Sequence, residues 1–432
     1  MRSSVASAAL LAGALLCLLA SPALVAAARS TGRTTLSVLS FGAAADGVTD
    51  DAEALVAAWQ VACRDPRATV LLPSRHRFHL SPVTLQGPCS TKLTLQIDGT
   101  VLAPPEMGSW PKPSRPLQWL QDFSILGAGT VDGQSITSLQ SASSPANTSQ
   151  ASTGHWHSPG VKPTLIRFYS SFNVTVRNIR ITNSPQCHLK FDSCGGIKVK
   201  NITISSPGDS PNTDGIHLQN TRDVEIKSST IGCGDDCVSI QTGCSNVHIK
   251  NVVCNPSHGI SLGGLGKDYS LACVSDVVAE NIIVQNALYG VRIKTWQGGV
   301  GSVRNITFTN VRVANVATPI AIDQFYCDRG GARCANRTGA VAITGVAYRR
   351  VVGTYSFQPV RLACSDARPC TGVTMVDVRL SPAATAPGGT VAPLCWNSYG
   401  EALGTIQPLG VGCLQRSNGY AMPLTQPFNY TC

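Results

Sequence analysis

Five polar side chains lie in or next to short apolar segments that share one pattern in this 432-residue chain. Asp214, Asp236 and His258 each lie two positions ahead of an alternating apolar pair. Arg292 and Lys294 flank an isoleucine in the next segment of the same kind. If each segment is one rung of a coiled sheet, the first three side chains form a column and the two cations lie just beyond it. Carboxylates beside a histidine and two cations can bind and cleave a negatively charged molecule.

The neighbouring carboxyl groups of this column suggest a reaction. Stacked strands lie about 4.8 Å apart, so Asp214 and Asp236 should be separated by roughly that distance. Asp235, the neighbour of Asp236, should point in a different direction by strand alternation unless a bulge intervenes. Three carboxyl groups this close cannot all ionise easily, so at least one pKa should rise. A protonated acid and an ionised base in one site are what hydrolysis of a glycosidic bond requires.

The cations and the histidine fit the same interpretation. Arg292 and Lys294 alternate about Ile293, so they face one side of a strand and can pair with a sugar carboxylate. His258 can hold a carboxylate or a hydroxyl group. Taken singly, an Asp-Asp pair indicates a polar turn, a lone histidine a structural role, and Arg-x-Lys a solvated face. Their joint occurrence on consecutive segments in one register favours the functional interpretation.

A repeated pattern predicts the fold that positions these groups. Eight segments share the order apolar-x-apolar, bend, apolar-x-apolar, and successive segments begin 23 to 35 residues apart. Their short β-branched runs lack a helical period and are typical of a parallel β-helix, whereas a leucine-rich repeat would need a Leu-x-x-Leu-x-Leu signature. Asparagine suits the bend because it tolerates left-handed backbone and its amide can bond to the next coil. The expected bend residues are Asn178, Asn201, Ser228, Asn251, Asn281, Asn310, Gly345 and Asp377.

The N-terminal segment indicates a secreted protein. Residues 1–27 have the basic start, apolar run and small residues of a signal peptide, and residues 28–432 are expected to form a single parallel β-helix catalytic domain. Within that domain, residues 51–63 predict a short amphipathic helix that caps the N-terminal end of the coil.

Of 17 cysteines, Cys17 falls in the leader, and the even number that remains favours disulfides over metal sites or catalytic thiols. Cys364/Cys370 and Cys327/Cys334 are close enough in sequence to form loop disulfides. Six glycosylation sequons fit the same route through the secretory pathway. Their asparagines are Asn147, Asn173, Asn201, Asn305, Asn336 and Asn429.

The net charge favours an acidic partner. The formal charge is +10, and loss of Arg2 with the leader leaves +9. Such a balance suits nucleic acid, anionic lipid or an acidic polysaccharide. Secretion lowers the odds of nucleic acid, and the chain has neither a run of like charge nor a basic amphipathic segment for a membrane surface. We expect a monomer that binds an acidic polysaccharide, without nucleic acid, membrane, metal or cofactor.

Four motifs carry a specific resemblance. Asn212-Thr213-Asp214, Gly234-Asp235-Asp236, His258-Gly259 and Arg292-Ile293-Lys294 together make the chain resemble the plant-type polygalacturonases of glycoside hydrolase family 28. The likeness runs from residues 41–51 near the start to the cysteine-rich loops at the end. It implies a right-handed parallel β-helix, secretion to the cell wall, and hydrolysis of α-1,4 bonds in polygalacturonate or pectin with inversion.

The resemblance also implies a role for each site residue. Asp235 would be the general acid, and Asp214 and Asp236 would activate the attacking water. His258 would support the environment of the acid. The substrate-binding residues would be Asn212, Arg292, Lys294 and Tyr326.

The chain departs from the family pattern at two places. The Trp-Trp that commonly follows residues 131–133 is replaced by serine-rich sequence, and the other departure lies next to His258. Ser257 stands where the family usually has the first glycine of Gly-His-Gly. The departure concerns the turn that aims His258 and leaves the three aspartates in place.

Several alternatives remain open at the level of sequence. A pectate lyase is also a secreted β-helix, but it would need calcium-binding carboxylates and an arginine base. A non-catalytic wall protein would bind pectin through Arg292 and Lys294 alone. Carboxylates about 5 Å apart suggest retention by the general rule for glycosidases, whereas the resemblance implies inversion. Endo or exo cleavage depends on loops that the sequence does not define.

Overall fold

Short parallel strands recur along the chain and stack coil upon coil. The computed structural model describes residues 33–105, 110, 117–118, 120–135, 162–327, 336–384, 389–414 and 432. The expected signal peptide at residues 1–27 lies outside the described residues, as do Cys334, Asn147 and Asn429.

The elements follow in chain order. The N-terminal elements are β1 (Thr35–Ser37), a 3-10 helix (Val38–Phe41), β2 (Asp46–Asp50), α1 (Ala52–Ala62), β3 (Thr69–Leu72), β4 (Arg77–His79), β5 (Thr94–Ile97), β6 (Thr100–Leu102), β7 (Leu117–Gln118), β8 (Ser124–Leu126) and β9 (Thr130–Asp132). The central elements are β10 (Ile166–Tyr169), β11 (Thr175–Arg177), β12 (Arg180–Thr182), β13 (Leu189–Asp192), β14 (Gly195–Lys200), β15 (Thr203–Ser205), β16 (Ile216–Gln219), β17 (Arg222–Gly232), β18 (Val238–Ile240), β19 (Cys244–Cys254), β20 (Ile260–Leu265), a 3-10 helix (Lys267–Tyr269), β21 (Leu271–Trp296) and β22 (Val300–Tyr326). The last elements are β23 (Ala342–Tyr355), β24 (Val360–Ala363), β25 (Cys370–Pro382), β26 (Leu394–Trp396) and β27 (Ser398–Gln407).

Each coil contributes strands to three faces, and every face is a ladder of parallel pairs. The first face runs from β7 through β10, β13, β16, β18 and β20 to the C-terminal part of β21. The second face contains β11, β14 and the first part of β17, and the third contains β12, β15 and the last part of β17. The chain is therefore the parallel β-helix that the repeat predicted, with the right-handed sense that the resemblance implies.

Left-handed bends separate the faces. Seven of the eight expected bend residues lie in the predicted register, and Asn178, Asn201 and Asn281 illustrate their positive φ angles of 63°, 51° and 55°. Their amides form the expected ladder, since Asn201 Nδ2 donates to Asn178 Oδ1 at 3.1 Å and Asn281 Nδ2 donates to Asn251 Oδ1 at 3.1 Å. These bonds link the bends of successive coils.

Gly345 forms a left-handed bend with φ of 66°, but the register predicted for it is wrong. Strand pairing places Arg350, with φ of 53°, beside Asn310, and it places Gly345 beside Asn305. Each coil has a second column of left-handed bends, which contains Asn305 and Gly345. Gly345 fitted the pattern because glycine adopts a left-handed bend in either column without steric cost.

The core fills the inside of the coil, where apolar side chains stack in columns. Phe168 stacks on Phe191 with ring centroids 5.2 Å apart, and Phe308 stacks on Tyr348 at 5.4 Å. Helix α1 has the position predicted for residues 51–63, and its Trp59 packs into the core of the first coils. Burial of such large side chains stabilises the fold by about 1.5–3 kcal/mol each.

The cysteines are only partly paired. Described disulfides join Cys63–Cys89, Cys237–Cys254, Cys273–Cys432, Cys364–Cys370 and Cys395–Cys413, which confirms the Cys364/Cys370 expectation. Cys327 is also disulfide-bonded.

The expectation that disulfides account for the cysteines is wrong for four of them. Cys187, Cys194, Cys233 and Cys244 are free and buried, where a thiol packs as a small apolar group. Burial raises the pKa of Cys194 to about 11 and that of Cys244 to about 12, so these thiols remain protonated. No helix in the described part of the chain has the length and apolar character of a membrane span.

Candidate active site

The predicted column lies at the start of three neighbouring strands of the first face. Ile216 pairs with Val238 and Val238 pairs with Ile260, so the residues two positions earlier are in register. Those residues are Asp214, Asp236 and His258. The strand that follows carries Arg292 and Lys294.

Asp236 is the most enclosed member of the column. Its side chain is 3% exposed, and Arg292 Nη2 donates to Oδ1 at 2.8 Å while Lys294 Nζ donates to Oδ2 at 3.1 Å. Ser261 Oγ donates to the same Oδ1 at 2.6 Å and accepts from Arg292 Nε at 3.1 Å. The two cations predicted to bind substrate therefore also neutralise a catalytic candidate of the chain itself.

Asp235 lies beside Asp236 but has different partners. Its Oδ1 accepts a bond from the Asp236 backbone N–H at 2.8 Å and lies 3.0 Å from His258 Nδ1. Its side chain is 20% exposed, and within the described part of the chain its Oδ2 has no hydrogen-bond partner. His258 thus contacts the aspartate outside the column, although its backbone is in register with Asp236.

Burial and charge separate the pKa values of two aspartates. Burial raises the pKa of Asp214 against the opposing hydrogen bond from His217, and the charges of Asp235 and Asp236 raise it further. Burial also acts to raise the pKa of Asp236, but the charges of Lys294 and Arg292 prevail and hold it below the usual range. One carboxyl group is thus kept ionised beside another that protonates more readily.

Two histidines that sequence reasoning missed position Asp214. His217 Nδ1 lies 3.0 Å from Asp214 Oδ2, and the two side chains are 18% and 16% exposed. His188 is buried, with Nδ1 donating to the Asp214 carbonyl at 2.9 Å and Nε2 lying 2.7 Å from Ser206 Oγ. Burial lowers the pKa of His188 to about 4, so the ring is neutral. The register offered a signal for His217, because it faces outward one position after Ile216.

Aromatic rings contact both cations. The Arg292 guanidinium lies 4.0 Å from the Tyr289 ring centroid, and Lys294 Nζ lies 5.3 Å from that of Tyr326. Trp296 meets Tyr326 edge-on at 5.4 Å. The predicted substrate residue Tyr326 is therefore next to Lys294, while Tyr289, Ser261 and Trp296 were not singled out from the sequence.

Asn212 and Ser257 occupy the turns that precede the column. Asn212 is exposed and has a left-handed backbone with φ of 57°, two residues before Asp214. Ser257 is buried, and its Oγ accepts a hydrogen bond from Gly259 N–H at 3.0 Å. Serine therefore fits the turn before His258 and satisfies a backbone donor there.

The site includes a set of potential metal ligands. Asp235, Asp236 and His258 each offer one ligand atom within 4.8 Å of the others. Both oxygens of Asp236 already accept bonds from cations, at 2.8 and 3.1 Å, so a metal ion would meet two positive charges. This electrostatic arrangement favours acid–base chemistry over metal binding.

Solved structures share this fold. An endo-xylogalacturonan hydrolase from Aspergillus tubingensis matches with a TM-score of 0.68 at 20% identity, covering 86% of this chain and 99% of that protein. A polygalacturonase from Erwinia carotovora matches with a TM-score of 0.62 at 22% identity, covering 87% and 99%. At these identities the likeness shows the shared β-helix.

Sequence comparisons show the family. A probable polygalacturonase of Arabidopsis thaliana is 36% identical over 88% of this chain and 84% of its own length. A polygalacturonase of Malus domestica is 36% identical over 85% of this chain and 81% of its own length. The model of glycosyl hydrolases family 28 matches residues 63–391. The chain belongs to family 28 of the glycosyl hydrolases and is a glycosidase.

Proposed function

We propose that this protein is secreted to the cell wall and hydrolyses α-1,4-galacturonosyl bonds of polygalacturonate or pectin as a monomer. The observation that carries the proposal is the contrast between Asp236, bound by two cations and a hydroxyl, and Asp235, partly exposed beside His258. One carboxylate is kept ionised while its neighbour has a free oxygen that can carry a proton. The resemblance and the named relatives supply the substrate class.

In the proposed mechanism, Asp235 protonates the oxygen of the leaving sugar. Its Oδ1 is engaged with the Asp236 backbone and His258, so Oδ2 is the oxygen that can deliver the proton. Loss of that proton leaves a carboxylate, which the neighbouring His258 can stabilise when it is protonated. The step breaks the bond between the anomeric carbon and the leaving oxygen as positive charge develops on the sugar ring.

Asp214 and Asp236 orient and deprotonate the attacking water. The raised pKa of Asp214 makes it the stronger base once it is ionised, and the low pKa of Asp236 keeps a negative charge next to the developing cation. Both Asp236 oxygens accept bonds from positively charged donors, which disfavours a covalent bond from Asp236 to the sugar. This arrangement supports inversion by direct attack of water.

Arg292 and Lys294 bind a substrate carboxylate while they hold Asp236. Each can make more than one bond, because a guanidinium has five N–H donors and an ammonium has three. Tyr326 and Asn212 contact the sugar at the edge of the site. Activity should be highest at mildly acidic pH, where one carboxyl group is protonated and another is ionised.

Digestion of polygalacturonate in the presence of a chelator tests the reaction. We expect new reducing ends without ultraviolet absorbance from unsaturated ends. That absorbance, or a requirement for calcium, would indicate a pectate lyase-like elimination instead. If the protein produces neither signal but still binds pectin, it is a non-catalytic wall protein.

A further inference from the structure

A second pair of cations lies on the first face, on the N-terminal side of the carboxylates. Arg167 in β10 pairs in register with Lys190 in β13, and Lys190 pairs with His217 in β16. The side chains of Leu189 and Phe191 point into the core, so Lys190 between them points outward. The same outward row continues through Ser239, Ser261 and Arg292.

Lys190 has no direct partner for its charge. It is partly buried, and within the described part of the chain it makes no hydrogen bond and no ion pair. Burial lowers its pKa and the nearby charge of Arg167 lowers it further, while the charges of Asp192 and Asp214 offset these effects only in part. A partly desolvated ammonium group without a partner is unfavourable unless an anion binds there.

The two acids near Lys190, Asp192 and Asp214, already have other partners, and that of Asp214 is His217 at 3.0 Å. Asp192 Oδ2 accepts from Arg167 Nη2 at 2.7 Å, and Asp192 Oδ1 accepts from Ser193 Oγ at 3.1 Å. The Arg167 Nε, by contrast, is buried without a hydrogen-bond partner. Arg167, Lys190 and Asp192 therefore leave one positive charge and one buried donor unmatched.

The two cationic groups flank the catalytic candidates at equal spacing. Lys190 lies on a strand two steps before β18, and Arg292 lies two steps after it. At about 4.8 Å a step, the backbones of the two groups lie about 19 Å apart along the coil axis. A polymer that touches both must lie along that axis and carry a negative charge on more than one sugar unit.

We propose that Lys190, supported by Arg167, binds the carboxylate of a second galacturonate unit, remote from the unit held by Arg292 and Lys294. This proposal rests on the proposed function and deepens it. It makes a free carboxylate at that second unit a requirement for tight binding, so methyl-esterification there weakens binding. It also predicts that substrates too short to reach Lys190 gain nothing from it.

Galacturonate oligomers of increasing length test the proposal. In Lys190→Gln we expect kcat/KM to fall roughly tenfold for polygalacturonate and long oligomers, mostly through KM, because one charge-assisted bond is lost. The shortest oligomers that are cleaved should react as in the parent protein. Lys198→Gln is the matched control, since Lys198 is exposed on the second face of the same coil. Lys190→Arg should restore most of the loss.

Three results would overturn the proposal. They are an unchanged kcat/KM of Lys190→Gln at every length, an equal loss at every length, and an equal loss in Lys198→Gln. Failure of the proposed function gives a different signature, because the parent protein would then release no reducing ends from any oligomer. In that case calorimetric titration of parent and Lys190→Gln with the same oligomers still tests the site. Equal affinity at every length would contradict it.

Discussion

Asp235 and Asp236 are adjacent in sequence and have opposite electrostatic surroundings. Arg292, Lys294 and Ser261 surround Asp236, whereas Asp235 faces His258 and is partly exposed. Two carboxyl groups in one site can take different roles when their surroundings differ. The acid and base roles proposed for this pair rest on these different neighbouring side chains.

Replacement of Asp235 by asparagine tests the acid role. Asp235→Asn keeps the shape of the side chain and removes its proton, so we expect kcat to fall by at least about a thousandfold with little change in KM. The thermal unfolding temperature should match that of the parent protein. Substantial residual activity on polygalacturonate would assign the acid role to another residue.

Lys294 is expected to set the acidic limb of the pH profile. The pKa of Asp236 is low because Lys294 and Arg292 outweigh the effect of burial. Lys294→Gln removes one of these charges, so the pKa of Asp236 rises and its ionisation requires a higher pH. The acidic limb of kcat/KM should therefore move to higher pH, whereas Lys250→Gln on the second face should leave it in place. A limb that stays fixed, or moves to lower pH, would show that Asp236 does not set it.

At the scale of elements, a disulfide anchors the strand that begins beside the two aspartates. Cys237 follows Asp236 directly and is bonded to Cys254, 17 residues further on. Replacing both by alanine should cost about 3 kcal/mol in the free energy of unfolding, because a loop of that length is released in the unfolded state. We also expect kcat to fall, since β18 positions both carboxylates.

The Cys395–Cys413 disulfide provides a matched control. Its sequence separation is 18 residues, and it lies near the C-terminal end of the coil. Replacing this pair by alanine should cost a similar free energy of unfolding, measured by denaturant titration, and should leave kcat unchanged at temperatures where the protein is folded. An equal loss of kcat in both variants would show that the first disulfide has no special role in the site.

His188 links the turn of Asp214 to the preceding coil and makes stability depend on pH. Its pKa is about 4 in the folded protein, below the ordinary histidine value of 6.5. The unfolded chain therefore binds more protons between these values, and stability is lost as pH falls from about 6.5 to about 4. The loss amounts to about 3 kcal/mol.

Denaturant unfolding at pH 7 and pH 4.5 measures this effect. His188→Gln should reduce the difference in unfolding free energy between the two pH values by about 2.5 kcal/mol. His248→Gln is the control, because His248 is exposed beside Glu280. A difference that is the same in His188→Gln and the parent would exclude His188 as the source.

At the scale of the whole molecule, the coil could be predicted because the spacing of apolar residues and the residue types at the bends both repeat along the sequence. The same spacing predicted the register of Asp214, Asp236 and His258. It did not predict the contact between His258 and Asp235, which depends on how the turn before β18 directs each side chain. The register predicted for Gly345 was wrong because two columns of left-handed bends accept the same residue types.

Cysteine pairing shows a further limit of the sequence. An even number of cysteines suggested pairing throughout, yet the interior of the coil accommodates four described thiols as small apolar groups. Neither the number nor the spacing of the cysteines distinguishes the free ones from the paired ones. Pairing depends on which side of a strand faces inward.

Inversion at the anomeric carbon is the central feature of the proposed mechanism, and the configuration of the first product tests it most directly. Proton NMR of polygalacturonate digestion, recorded before mutarotation, follows the newly formed reducing ends. Direct attack of water on an α-linked sugar should give the β anomer first. An α anomer as the first product would require a covalent intermediate and would contradict the roles assigned to Asp214, Asp235 and Asp236.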